Sequence, residues 1–182
     1  MKRIVIMEHD SSESKIGFAG EEEPRFVFPT LYGRAKLSFP PPLKEYYDPD
    51  EALQHETNIK IDRPIENGII DDWVTMVRIW DFCFDTKLKI DRKLHPVLII
   101  IHPNNPRKIR VKIAAIMFET FEIAALCIKD TSYLINHARE SKSQVKINSA
   151  WVAGSLYASS EENVKNFITL DAYDERGPEI IP

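Results

Sequence analysis

A run of five apolar residues at positions 97–101, Val-Leu-Ile-Ile-Ile, constrains the fold more than any other feature of this sequence. The run has the length of one strand, follows His95-Pro96 and is stopped by Asn104-Asn105-Pro106. Because apolar and polar residues do not alternate along it, both faces of the strand are predicted to be buried, as they are in the middle of an α/β sheet.

Two amphipathic helices are predicted to flank this strand. The first has Asp71 or Asp72 as its cap. Its apolar residues repeat at helical spacing: Trp73, Met76, Val77, Trp80, Phe84 and Leu88. The second helix is predicted to use Asn105 as its cap, to place Pro106 in its first turn and to run to about residue 121.

The other strands are predicted near the amino end and after the second helix. Residues 4–6 and 15–20 are typical of a β-hairpin, and residues 25–31 would form a third strand. Residues 124–128 would form another buried strand. Strands that alternate with helices predict the α/β fold class, with a mixed sheet flanked by helices.

Two polar or proline-rich stretches interrupt this pattern. Residues 38–56 include three consecutive prolines, which fix φ and remove amide donors, so this stretch is predicted to be an arm outside the main sheet. Residues 136–149 have almost no apolar period and are interpreted as a linker or a frayed helix end. The linker would separate the first part of the chain from a short carboxyl-terminal piece.

The carboxyl-terminal piece is predicted to contain two helices. Residues 151–158 would form the first. The second would begin at the capping-box-like residues 159–162 and end at Gly177-Pro178. Val164, Phe167 and Ile168 would lie on this second helix.

Composition limits the classes of function. The chain has 182 residues and 43% hydrophobic content, enough for one domain with its own core. With 24 basic and 28 acidic residues and no basic block, nucleic acid and an anionic membrane are not expected partners. No apolar stretch has the length of a membrane span or signal-peptide core. Cys83 and Cys127 fit buried thiols in a reducing compartment, so an intracellular protein is expected.

Several short strings are similar to those of a known family. They are Lys15-x-Gly17-Phe18-Ala19-Gly20, Pro24-Arg25, Val27-Phe28-Pro29, Gly33-Arg34, Pro64-Ile65-Glu66-x-Gly68-Ile69, Ile79-Trp80, His95-Pro96-Val97-Leu98, Asn105-Pro106 and Ile116-Met117-Phe118-Glu119-Thr120-Phe121. In this order and at nearly this spacing they resemble actin. The strings Trp151-x-x-Gly154-Ser155 and Tyr173-Asp174-Glu175-x-Gly177-Pro178 resemble the carboxyl-terminal end of actins.

The resemblance implies a shortened actin-related protein. The stretch that in actins carries the second phosphate loop and most of the nucleoside pocket is missing between the two matching parts. Residues 1–35 and 61–182 would correspond to the actin subdomain that holds both chain ends, with a ribonuclease H-like sheet. Residues 36–60 would be a reduced second subdomain, and the linker at 136–149 would replace the missing half.

The resemblance also locates a degenerate phosphate turn. In actins the turn of the first hairpin binds phosphates, and its glycines let backbone amides approach the ligand. The matching residues here contain no glycine and are Glu8, His9, Asp10, Ser11 and Ser12. Negative charge and side-chain bulk would therefore oppose a polyphosphate.

Two further positions depart from the family pattern. Thr131 stands where actins have the glutamine that orients the attacking water, and Asn67 replaces a histidine that follows Pro-Ile-Glu in actins. A Glu-His-Asp run could bind a divalent cation. However, neighbouring side chains of a hairpin alternate between faces, so no metal site is expected here. Because the phosphate turn is degenerate, no cofactor and no catalytic residue are expected either.

A binding function is therefore the leading hypothesis. Removal of half of an actin body would uncover apolar surface that a protein partner should cover. The partner-binding candidates are Trp151, Leu156, Tyr157 and Phe167, together with the sheet edge that follows residues 124–128. Internal packing is the alternative for these residues.

The function expected is that of a non-catalytic actin-related scaffold in a cytoskeleton-associated, cytoplasmic assembly, with actin or other actin-related proteins as possible partners. Three alternatives remain open. They are a reduced ATPase that completes its site with a partner, a protein that binds actin or caps filament ends, and an actin-related subunit of a nuclear chromatin complex. Nucleotide retained on purification would favour the ATPase.

Overall fold

The computed structural model describes residues 2–36, 44–55, 57–141, 147 and 149–182. Its strands are β1 (Val5–His9), β2 (Glu13–Phe18), β3 (Phe26–Pro29), β4 (Tyr32–Ala35), β5 (Tyr46–Tyr47), β6 (Ile59–Asp62), β7 (Ile65–Glu66), β8 (Ile69–Ile70), β9 (Pro96–Ile101), β10 (Ala125–Asp130) and β11 (Ile168–Thr169). Its α-helices are α1 (Pro49–Ala52), α2 (Trp73–Asp81), α3 (Arg107–Ala115), α4 (Thr131–Glu140), α5 (Ala150–Ser159), α6 (Glu161–Val164) and α7 (Leu170–Arg176). Short 3₁₀ turns cover Leu53–His55, Arg92–Leu94 and Gly177–Ile180.

The predicted buried strand is β9, which lies inside a six-stranded sheet of order β11-β10-β9-β1-β2-β3. It runs parallel to both neighbours, β1 and β10, whereas the other pairs in the sheet are antiparallel. All six residues of β9 are buried. Its side chains alternate between two apolar clusters, one on each face of the sheet. The predicted α/β class with a mixed sheet is confirmed.

The two faces of the sheet are covered by different helices. Trp80 of α2 and Ile113 of α3 belong to the cluster on one face. Leu134 of α4 and Trp151 of α5 belong to the cluster on the other. The carboxyl-terminal segment thus packs directly on the sheet formed by the amino-terminal part of the chain.

The two predicted helices over the first face exist, with one correction. Asp72 caps α2, because its Oδ1 accepts a hydrogen bond from the Thr75 amide at 3.1 Å. Both helices continue as π-helical turns, over Phe82–Leu88 and Ile116–Thr120. Asn105, however, does not cap α3: the cap position is Pro106, and the Asn105 amide instead binds backbone carbonyls of the neighbouring loops.

The arm is a small sheet of its own. Strands β5, β4 and β6 pair in that order, around a core of Leu31, Ala52 and Ile59. This sheet begins at Tyr32 and ends at Asp62, so its strands reach beyond the range 36–60 at both ends. The three consecutive prolines lie within residues 37–43, outside the described residues.

Residues 136–149 were interpreted as a linker or a frayed helix end, and the structure supports a helix end for the first part of this range. Its first five residues belong to α4, which Asp130 caps by accepting the Tyr133 amide at 2.8 Å. Leu134 and Ala138, one helical turn apart, are buried on the sheet. The polar character of residues 136–141 reflects the outer side of this helix, and residues 142–146 and 148 lie outside the described part.

The last predicted helix is also corrected. The helix predicted at 151–158 is α5, but the next helical turn, α6, ends at Val164. Ile168, predicted to be helical, belongs to β11, which pairs with Ala125 and Leu126 of β10. Because this edge position needs extended backbone, the chain leaves the helical conformation there and resumes it in α7.

Candidate functional site

The turn between β1 and β2 is closed by its own side chains. Asp10 Oδ1 accepts hydrogen bonds from the Ser12 amide at 2.7 Å, the Ser12 hydroxyl at 2.7 Å and the Glu13 amide at 2.9 Å. Partial burial raises the pKa of Asp10, but these hydrogen bonds outweigh it and hold the pKa below its usual value. Two backbone donors of this turn, the Ser12 and Glu13 amides, are therefore satisfied by a carboxylate of the chain itself.

Glu8 lies beside this turn, toward the amino-terminal end of α5. Its Oε2 is buried and has no hydrogen-bond partner among the described residues. Burial raises the pKa of Glu8, and the opposing effects of Lys15 and of the Trp151 backbone do not cancel it. Lys15 itself pairs with Glu13, at 2.7 Å between Nζ and Oε1.

His9 lies on the opposite side of β1, toward α2. The ring is buried, and its Nδ1 shares a 2.7 Å hydrogen bond with Ser14 Oγ, which is 2.8 Å from Thr30 Oγ1. Burial lowers the pKa of His9 to about 3, so the imidazole is neutral at physiological pH. Glu8 and His9 do not converge on one point, and the described residues contain no group of three ligands arranged to hold a metal ion.

Two of the partner-binding candidates, Trp151 and Tyr157, lie inside the protein, as in the alternative of internal packing. Trp151 is fully buried: its Nε1 donates to the Ile6 carbonyl at 3.4 Å, and its ring lies so close to Gly17 that a Cβ there would come within 2.8 Å of it. Tyr157 is also buried, and its hydroxyl accepts a hydrogen bond from Asn166 Nδ2 at 2.8 Å. Both side chains are almost fully inaccessible to solvent, because they lie on the part of α5 that packs against the sheet.

Leu156 and Phe167 are half-buried at the margin of the same apolar cluster. Leu156 and the edge of Tyr157 line a groove of about 210 Å³ between α4, α5 and α6. Two α4 residues, His137 and Ala138, form its other wall. These two were missed from the sequence because 136–149 was interpreted as a linker or a frayed helix end, although the Asp130 cap and the spacing of Leu134 and Ala138 indicated a helix.

The sheet edge after β10, the other predicted partner-binding surface, is covered by β11.

An aromatic cluster borders this groove. The rings of Tyr133 and His137 stack with centroids 6.0 Å apart, and the His137 ring meets Tyr157 edge-on at 5.2 Å. Lys129 Nζ lies 4.5 Å from the centre of the Tyr133 ring. Tyr133 is the exposed member, so the cluster presents aromatic and cationic groups to solvent next to the apolar lining.

The Actin family model matches residues 2–145 of this chain. The chain therefore belongs to the actin family. The matched range includes β1 to β10 and α4, and it ends before α5. The actin-like origin of the carboxyl-terminal strings stays a prediction.

The residues of the β1–β2 turn do not fit the phosphates of the nucleotide that the family implies. Asp10 already accepts from two turn amides, and its carboxylate is ionised where a phosphate would need donors. Asn67 lies in the left-handed region, with φ of 51°, in the turn between β7 and β8. Thr131 is the first residue of α4.

Proposed function

We propose that this actin-family chain is a non-catalytic structural subunit that binds a protein partner within a larger, cytoskeleton-associated assembly of the cytoplasm. The observation that carries this proposal is the closed β1–β2 turn. An anion bound there would have to displace the Asp10 carboxylate and then lie beside it, because the same amides would serve both. At this exposed turn, repulsion between the two anions adds to the cost of the hydrogen bonds that Asp10 would lose.

The groove between α4 and α5 supports the binding part of the proposal. Its volume of about 210 Å³ is below the roughly 300–1,000 Å³ of small-molecule sites. Its lining is mixed: Leu156, Tyr157 and Ala138 lie beside polar residues, which are His137, Ser141, Ser160, Glu162 and Asn163. This size, with Leu156 and Ala138 on different walls of the groove, suits one side chain from an amphipathic helix of a partner. Lys129 near its margin would favour an acidic residue next to that anchor, whereas Glu162 in the lining would favour a basic one.

The test is isolation of the tagged chain from its native cell under gentle conditions, with co-purifying proteins and bound adenine nucleotide measured in the same eluate. We expect a stoichiometric protein partner and no nucleotide. Actin or another actin-related protein in that eluate, together with other cytoskeletal proteins and without chromatin proteins, would assign the assembly to the cytoskeleton. Chromatin proteins would instead assign it to the nucleus and contradict the proposed location.

A lone chain that carries ATP or ADP with a divalent cation would overturn the proposal and favour a reduced ATPase. A matched nucleotide control is the same isolation with Asp10→Ala, which frees the turn amides. If this variant also lacks nucleotide, Asp10 is not what keeps the site empty, and the absent second phosphate loop would be the better explanation.

A further inference from the structure

Three buried polar atoms belong to residues that line one small cavity beside the carboxyl ends of β1 and β9. They are Nε2 of His9, Nε1 of Trp80 and Oδ1 of Asn105, and none has a hydrogen-bond partner within the described part of the chain. All three residues line a cavity of about 10 Å³. Buried polar groups are nearly always hydrogen-bonded, so three such atoms at one place need a common explanation.

The chemistry of the three atoms is complementary to one small partner. The indole of Trp80 can only donate a hydrogen bond, and Oδ1 of Asn105 can only accept one. The Asn105 amide orientation is fixed by its Nδ2, which donates to the Gly68 carbonyl at 2.7 Å and the His102 carbonyl at 2.9 Å. His9 Nε2 donates or accepts according to its tautomer. The partner must therefore both donate and accept.

The size and lining of the cavity identify that partner. A volume of about 10 Å³ holds one water molecule and nothing larger. The remaining wall is mainly apolar, formed by Ile65, Ile70, Ile99, Ile100 and Ile101 with His102, and contains no carboxylate that would hold a cation. We propose that one water molecule is bound there, accepting from Trp80 Nε1, donating to Asn105 Oδ1 and sharing a third hydrogen bond with His9 Nε2.

This water completes a polar network across the sheet. On its other nitrogen, His9 is bonded to Ser14 and through it to Thr30, which lies just beyond β3. The water extends this chain to α2 and to the loop after β9. Three hydrogen bonds are typical of buried waters, and whichever tautomer His9 adopts, water can complement it.

Solution NMR of the purified, isotope-labelled chain tests the proposal through its tryptophan indole protons. The sequence has three tryptophans, and the control is Trp151, whose buried Nε1–H donates to the Ile6 carbonyl instead. Paired experiments in the laboratory and rotating frames separate dipolar contact with a bound water from chemical exchange with solvent. Signals of Trp73 and Trp151 are assigned with Trp73→Phe and Trp151→Phe, and Trp80 then follows by elimination or by through-bond assignment.

We expect a dipolar cross-peak to water at the Trp80 indole proton and none at Trp151. Absence of this cross-peak at Trp80 would overturn the proposal. A purely exchange-type signal would also overturn it, because the indole would then be open to bulk solvent. A high-resolution crystal structure would be a second, independent test. One ordered water within hydrogen-bond distance of all three atoms would support the site, and an empty cavity would contradict it.

Discussion

The β1–β2 turn and the groove between α4 and α5 differ in what their surfaces leave available to another molecule. In the turn, the Asp10 carboxylate accepts hydrogen bonds from two amides and one hydroxyl, so these donors are not available to a ligand. In the groove, half-buried Leu156 and the edge of Tyr157 line unfilled space beside stacked aromatic rings. A site built on backbone donors is lost when a nearby side chain satisfies them, whereas a groove with a mixed lining remains available unless another segment fills it.

This difference is the reason why we propose a protein partner rather than a bound nucleotide for this chain. The turn would need several substitutions before its amides could meet a phosphate, since it lacks glycine throughout. The groove needs none before it can receive an apolar side chain. Four predictions test the comparison, beginning with the largest expected effect.

Substitution of Trp151 tests whether this α5 residue stabilises the fold or binds the partner. We expect Trp151→Ala to lower the free energy of unfolding by about 3–5 kcal/mol, because it removes a fully buried indole and leaves a cavity against Gly17. Urea denaturation measures the change. Trp73→Ala is the control, and since Trp73 is half-buried its cost should be clearly smaller. Normal stability of Trp151→Ala together with lost partner binding would contradict internal packing.

Leu156 tests the groove directly. We expect Leu156→Asp to weaken partner binding by about 2 kcal/mol or more, roughly thirtyfold, because a charge would replace an apolar wall at the proposed anchor. The measurement is partner capture in the isolation described above, with thermal denaturation as a check on folding. Val74→Asp is the matched control: Val74 is 67% exposed on α2, away from the groove. Equal losses in both variants would place the partner elsewhere.

Asp10 tests the turn. We expect Asp10→Ala to lower the free energy of unfolding by about 1.5 kcal/mol, because it removes a charged acceptor from three hydrogen bonds at a partly exposed site. Asp10→Asn keeps an acceptor and should lose less. Denaturation at neutral pH measures both. An unchanged stability for Asp10→Ala would mean that the turn is not held by this carboxylate.

The same residue gives a pH dependence of known sign. The pKa of Asp10 is lower in the folded chain than its ordinary value of 3.8, so its charge stabilises the folded state above that value. This contribution is lost as the pH falls through the folded-state pKa. The stability difference between the wild type and Asp10→Asn should therefore shrink in acid. A difference that grows as the pH falls would contradict the sign.

Much of the fold could be predicted from the sequence because strong patterns set it. The unbroken apolar run of β9 could be satisfied only between two covered faces, and the spacing of Trp73 to Leu88 could be satisfied only by a helix. The start of α4 was missed because only two buried residues, Leu134 and Ala138, mark its inner side. The strand β11 was missed because a segment of two residues is too short to show the alternation of apolar and polar residues that marks a strand. Its extended conformation follows from pairing with β10.

The candidate site was less predictable, for a different reason. The composition of the turn showed that it lacks glycine. It did not show that Asp10 would accept hydrogen bonds from the turn amides, since that depends on the rotamer of Asp10 and on the backbone geometry of the turn. Burial of Trp151 and Tyr157 follows from which side of α5 meets the sheet, and α5 is apolar on nearly every side. A helix with no polar face gives no sequence signal for its orientation.

Asn67 is a departure from the family pattern that the hairpin between β7 and β8 explains. Asn67 and Gly68 have φ of 51° and 78°, and Asn-Gly is the preferred pair for such a two-residue turn. We expect Asn67→Ala to lower the free energy of unfolding by about 1 kcal/mol, because alanine is strained in the left-handed region. Asn67→Gly should be nearly neutral, which separates backbone strain from loss of the side chain. Denaturation of both variants measures this difference. Equal destabilisation by alanine and glycine would instead assign the effect to a contact of the asparagine side chain.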